Sequence, residues 1–189
     1  MAADLPSSTH GMGAASVIVR DSVDADFPTI QTIYAQAVLH GLGSFEESPP
    51  TLGELLKRRA EVVKFGIPYL TAELGGQVAG YSYASPFRPR AAYRYTLENS
   101  VYVAEGMQGN GIGQALLSAL IARCEAGPWR QMIAVIGDSD NTGSIALHRK
   151  LGFRHVGTLD ATGFKFGHWV DTVLMQRALG PGCETPGVG

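Results

Sequence analysis

Val101 to Gln114 reads VYVAEGMQGNGIGQ, and this stretch decides the fold. Val101-Tyr102-Val103 is β-branched and aromatic, the composition of a strand end. Gly109, Gly111 and Gly113 then turn the chain, and Gly111 to Ala126 has the Ala, Leu and Ile content of a helix. At such a strand–turn–helix junction, successive backbone N–H groups point into one concavity. The helix dipole favours an anion there. Glycine suits the turn because a Cβ would stand between the backbone and a phosphate. Gly109, Gly111 and Gly113 are therefore the candidate phosphate-binding glycines, within the turn Gln108, Gly109, Asn110, Gly111, Ile112, Gly113 and Gln114. Spacing excludes two other arrangements. A P-loop sets Lys directly after its last glycine, and no Lys follows here. A dinucleotide turn would need Gly or Ala where Gln114 or Leu116 stands, and it belongs to a first strand–helix unit, not past mid-chain.

Outward from this turn the pattern stays legible. Arg94 to Val103 reads as a strand with Glu98 in its middle. Upstream, Tyr69–Leu74 and Val78–Ser85 are strand-like runs joined by Gly75-Gly76, the signature of a tight hairpin. Ser16–Arg20 is a short strand. Asp24 or Asp26 caps a helix to about His40, with Phe27, Ile30, Tyr34, Ala37 and Val38 on one face. Thr51-Leu52-Gly53-Glu54 matches a capping box, and Leu52, Leu55, Leu56, Ala60 and Val63 form the apolar face of the helix behind it. Gly41–Pro50 and Pro86–Ala92 are loops. Downstream come a buried strand at Met132–Ile136, a short helix at Thr142–Leu151, a strand at Arg154–Leu159 and a last strand at Trp169–Arg177. The order β-α-α-β-β-β-α-β-α-β-β, without internal repeat, predicts an α/β (α+β) chain. Its mixed sheet carries helices on both faces.

Composition narrows the function classes. The 189 residues suit one domain, over about 16–179, with loose tails at 1–15 and 180–189. With 45% hydrophobic and 17% charged residues the chain can bury a core. The net charge is −2 without a long basic run, so no nucleic-acid partner is expected. No apolar run approaches the roughly 20 residues of a membrane helix, and Met1–Ala15 has no signal-peptide pattern. Cys124 and Cys183 lack partners at ligand spacing, so neither a disulfide framework nor a metal site is expected. The expected setting is cytoplasmic.

A second motif, Asn141 to Phe153 (NTGSIALHRKLGF), supplies an N-cap at Asn141 and a helix stop at Gly152. Together with Gln108-x-x-Gly111-x-Gly113, it resembles the GNAT acetyltransferase superfamily. That resemblance implies a GNAT fold, with a central, mostly antiparallel sheet and acetyl-CoA as co-substrate. The glycine turn would hold the pyrophosphate, and Val101, Tyr102 and Val103 would pair with the pantetheine arm. Asn141 and Ser144 would reach the pantetheine amides, Asn141 keeping its cap role as the plainer reading. Many members place a Tyr at the position of His148 to protonate the leaving thiolate. His148 is thus read either as that group or as a structural histidine.

TLENSVYV (Thr96–Val103), AVIGDSDNTGS (Ala134–Ser144), LHRKLGF and GFKFGHWVD (Gly163–Asp171) are similar to the phosphinothricin and methionine sulfone acetyltransferase branch. The resemblance spans about Val17 to Ala178. It implies a small amine as acceptor, direct transfer, Glu98 as general base and a homodimer. A base is needed because an ammonium must lose its proton before nitrogen attacks a thioester. Arg88 and Arg90 would bind the acceptor's anionic group by their planar fork. Asn99, at a position where some relatives have His, and Ser100 would line the acceptor pocket, with Phe45 closing over it. Trp169 is read more plainly as core than as a pocket wall or dimer contact. Two rivals stand: a protein or peptide acetyltransferase, and a non-catalytic acyl-CoA sensor, which would have no use for Glu98 and His148.

Overall fold

The computed structural model describes residues 16–187, so the loose N-terminal tail expected over 1–15 lies outside the described residues. Seven strands and four helices follow the expected order: β1 (Ile18–Asp21), α1 (Phe27–His40), α2 (Leu52–Lys64), β2 (Tyr69–Leu74), β3 (Gln77–Pro86), β4 (Thr96–Val103), α3 (Ile112–Glu125), β5 (Gln131–Gly137), α4 (Thr142–Lys150), β6 (Arg154–Lys165) and β7 (His168–Ala178). The strands form one sheet in the order β1-β2-β3-β4-β5-β7-β6. Among the described residues only β4 and β5 run parallel; the other neighbours are antiparallel.

Local chemistry explains the elements. Gly75 and Gly76 both take positive φ, as a two-residue hairpin turn needs. The capping box forms: the Glu54 N–H donates to Thr51 Oγ1 at 3.3 Å, and the Thr51 N–H to Glu54 Oε2 at 2.7 Å. Such a cap is worth about 1 kcal/mol. Helices cover both faces of the sheet. Phe27 and Tyr34 of α1 pack on Tyr69 and Tyr102 on one face. On the other, Ser82 of β3 donates to the Leu116 carbonyl of α3, whose Leu116, Leu117, Leu120 and Ile121 are buried.

Three expectations are corrected. Val63 is 47% exposed and Val62 is buried in its place. Seven residues beyond Leu55 return to the same helix face within about 20°, whereas eight overshoot it. The strand read as Arg154–Leu159 continues to Lys165. Its pairing with β7 is interrupted between Leu159 and Gly163, where Ala161 takes positive φ. That irregularity hides the strand's period. Trp169 is not core: it is 66% exposed, its ring edge-on to Phe164. The segment after β7 turns back at Gly180–Glu184, and Gly182 is buried.

Candidate active site

The site is built where two strands part. β4 and β5 pair only from Thr96–Asn99 to Gln131–Ala134. Beyond that point β4 stays with β3 to Val103, and β5 stays with β7 to Gly137. A cavity of about 720 Å³ occupies the opening, walled by residues 98–103 of β4, Ala134–Gly137 of β5, and Asn141, Ser144 and His148. The loop after α1 supplies Gly43, Ser44, Phe45 and Glu46. A second cavity of about 420 Å³ shares Val101, Val103, Gln108, Asn141 and Ser144 with the first. It extends to Gly109, Gly111, Gly113 and Gln114.

Strand alternation divides the β4 side chains. Ser100 and Tyr102 stand opposite Tyr83 and Tyr81, and Tyr102 meets Tyr34 of α1 edge-on at 5.1 Å. Glu98 shares that face. Its carboxylate has no hydrogen-bond partner among the described residues. Burial raises its pKa and the Arg88 charge works against the rise. A carboxyl in this state can accept a proton from a cation brought beside it.

Asn99, Val101 and Val103 face the other way, toward α3 and α4. Asn99 is 6% exposed and His148 is 3% exposed. Asn99 Nδ2 lies 3.0 Å from His148 Nε2, and His148 Nδ1 lies 2.8 Å from the Ser144 carbonyl oxygen. A carbonyl only accepts, so Nδ1 carries the proton and Nε2 accepts from the Asn99 amide. Burial lowers the His148 pKa, with the Ser144 bond opposing. The resting ring is therefore neutral.

This has a pH consequence. An unfolded histidine protonates near pH 6.5, while the folded ring resists until lower pH. Between those values the unfolded chain binds more protons, so stability is lost as pH falls below about 6.5. Calorimetric melts from pH 7.5 to 5.5 should show a steeper fall for the wild type than for His148→Gln. Identical slopes would remove His148 as the cause.

At the glycine turn, Gly109 and Gly111 have φ of 82° and 76°, and α3 begins directly after Gly111. A Cβ built on either would project into open space. Both line the second cavity, so its wall there is bare backbone, the requirement for a cradled pyrophosphate. Ile112 is buried in the core, and Asn110 is exposed with its amide turned back to the Met107 carbonyl at 3.1 Å. Asn141 forms the expected cap, accepting from the Ser144 N–H at 3.2 Å, and still lines both cavities. Val101 and Val103 line both cavities as well, Tyr102 lines only the first, and Asn110 lines neither.

The acceptor-side residues divide. Phe45, Asn99 and Ser100 line the first cavity; Arg88 and Arg90 are exposed and do not. Arg88 instead stacks on Phe87, 4.9 Å from the ring centre, and acts on Glu98 through its charge. Tyr34, Ser44 and Tyr83 are wall residues that motif reading missed. By its spacing Tyr34 reads only as a core position of α1. Its hydroxyl donates to Glu46 Oε1 at 2.9 Å, and Arg58 pairs with the same oxygen at 2.6 Å. Burial and Glu46 push the Tyr34 pKa up to about 12. Among the described residues no cluster could hold a metal, and no helix is long and apolar enough to cross a membrane.

The parted parallel strand pair and the glycine turn fit the fold expected from the resemblance, and the chain belongs to the Acetyltransferase (GNAT) family, whose profile matches residues 32–153. It is 54% identical over 167 residues to the phosphinothricin N-acetyltransferase of Alcaligenes faecalis, covering 88% of this chain and 85% of that protein. It is 38% identical over 172 residues to the L-methionine sulfoximine/L-methionine sulfone acetyltransferase of Pseudomonas aeruginosa, covering 90% and 99%. Among solved structures, a phosphinothricin acetyltransferase from Sinorhizobium meliloti in complex with AcCoA superposes with a TM-score of 0.88 at 47% identity. That match covers 91% of this chain and 93% of the other.

Proposed function

We propose that the protein moves the acetyl group of acetyl-CoA to the amino group of a small amino-acid-like acceptor, of phosphinothricin, methionine sulfone or methionine sulfoximine type. The observation that carries this is the unpaired, half-buried carboxylate of Glu98 in a cavity continuous with the glycine turn. Acetyl-CoA, when bound, supplies an activated acyl carbon and a thiol leaving group. The bare backbone at Gly109, Gly111 and Gly113 would hold its pyrophosphate, and Val101–Val103, Asn141 and Ser144 its pantetheine.

Glu98 takes one proton from the acceptor ammonium. The freed amine forms the C–N bond as the C–S bond breaks, and the attacking nitrogen gives up its second proton to the departing sulfur, which leaves as the free thiol. Backbone N–H groups near Val101, at the parting of β4 from β5, polarise the acyl oxygen. His148 enters as a neutral ring that orients Asn99, leaving the second Asn99 N–H to steady the departing sulfur. Arg88, exposed and outside the cavity wall, offers only its charge to the acceptor's acidic group. A covalent route through cysteine has little support, because Cys124 is buried with its thiol pushed up to about 12.

A thiol-release assay with acetyl-CoA tests the reading against phosphinothricin, methionine sulfone, methionine sulfoximine, a polyamine and a short peptide. Turnover of an amino-acid analogue is expected. Turnover of the peptide alone would favour a peptide acetyltransferase. No turnover with acetyl-CoA still bound would favour a sensor. The same family reading carries a cytoplasmic homodimer. Exposed Phe164, Phe166 and Trp169 on the β6–β7 hairpin suit a subunit contact. A solution mass of a single chain by light scattering would exclude it.

A further inference from the structure

Lys165 takes no part in the chemistry above, yet it is 3% exposed. A buried ammonium is costly unless its charge is met. Here Nζ donates to the carbonyl oxygens of Gly41 at 2.9 Å and Ser44 at 2.5 Å. Burial lowers its pKa, while the nearby Glu47 and Glu46 oppose this. The two carbonyls belong to the α1–α2 loop that carries Phe45 and Glu46 into the cavity wall. Lys165 itself sits at the end of β6, 124 positions from Gly41 in the chain.

Gly163 lies two residues before Lys165, on the same face of β6. A Cβ built there would strike the Phe45 ring. The glycine thus leaves the space in which the ring sits, and the lysine holds two carbonyls of the segment leading into it. From the other side, Tyr34 and Arg58 hold Glu46.

We infer that Lys165, with Gly163, forms a seat that positions the Gly41–Glu46 loop and thereby sets affinity for the acceptor. Lys165 is a positioning residue: it acts through Phe45 and the loop backbone. The inference rests on the first cavity being the acceptor site.

The test is Lys165→Met, which keeps most of the side-chain volume and removes the donor. With methionine sulfone as acceptor, KM should rise about 10- to 100-fold, the scale of an ångström-level misplacement. KM for acetyl-CoA should stay within about twofold. Combined with Phe45→Ala, the two losses should be less than additive, because both act through one wall. An unchanged acceptor KM, equal rises for both substrates, or full additivity would each overturn the inference. Should Lys165→Met melt below the assay temperature, Gly163→Ala replaces it. It crowds Phe45 but keeps the ammonium, and the same acceptor-selective rise is expected; wild-type KM values there overturn the seat. A wild type that turns over no amino-acid analogue would instead remove the acceptor-site reading, and the seat's role with it.

Discussion

Replacing Glu98 by Gln should lower kcat/KM for the acceptor amine by about 10²- to 10⁴-fold, the usual worth of a positioned general base. Acetyl-CoA affinity by calorimetry should change by less than about twofold, since Glu98 lies outside the glycine-turn cavity. Stability supplies a second, opposite reading. Burial raises the Glu98 pKa, so the folded chain holds this proton more tightly than the unfolded chain does. Stability is then lost as pH rises from the ordinary carboxylate range through the raised value, and at neutral pH the charge is a cost to the fold. Gln removes that cost, so Glu98→Gln should melt no lower than the wild type at pH 7. In the wild type, acceptor kcat/KM should climb with pH through the raised pKa; in the variant this limb should vanish. Retained turnover would remove Glu98 as base. A drop in both turnover and melting temperature would make it a structural carboxylate.

Gly111→Val should weaken acetyl-CoA binding by about 10- to 100-fold. The backbone there has φ of 76°, which a β-branched residue resists. The added methyl groups would enter the second cavity in front of the N–H groups at the start of α3. Losing one charge-assisted hydrogen bond costs about 1.5–3 kcal/mol, and each 1.4 kcal/mol is about tenfold in Kd. Titration calorimetry reads this directly. Gly111→Ala, with the same strain and less bulk, should fall between the two. An unaltered Kd for Gly111→Val would place the pyrophosphate elsewhere.

Much of this site was legible in the chain itself. The glycine turn, the capping box and the Gly75-Gly76 hairpin each depend on residues a few positions apart. Backbone dihedral limits and side-chain caps decide such features locally. Glu98 was put forward by the branch resemblance of Thr96–Val103, and a carboxylate inside a Thr, Tyr and Val strand also runs mildly against propensity. The Val62 face and the extension of β6 were missed at that same local level, one through helix geometry and the other through an irregular ladder.

By itself, then, the sequence determined the order of elements, the glycine turn before α3 and the cap of α2, because these follow from short-range sterics and hydrogen bonding. Only the tertiary structure decided that β4 and β5 part after Asn99, that Asn99 meets His148, that Arg88 stays on the surface, and that Lys165 holds the loop bearing Phe45. These depend on which distant segments pack together and where a strand ladder stops, and no local propensity encodes either.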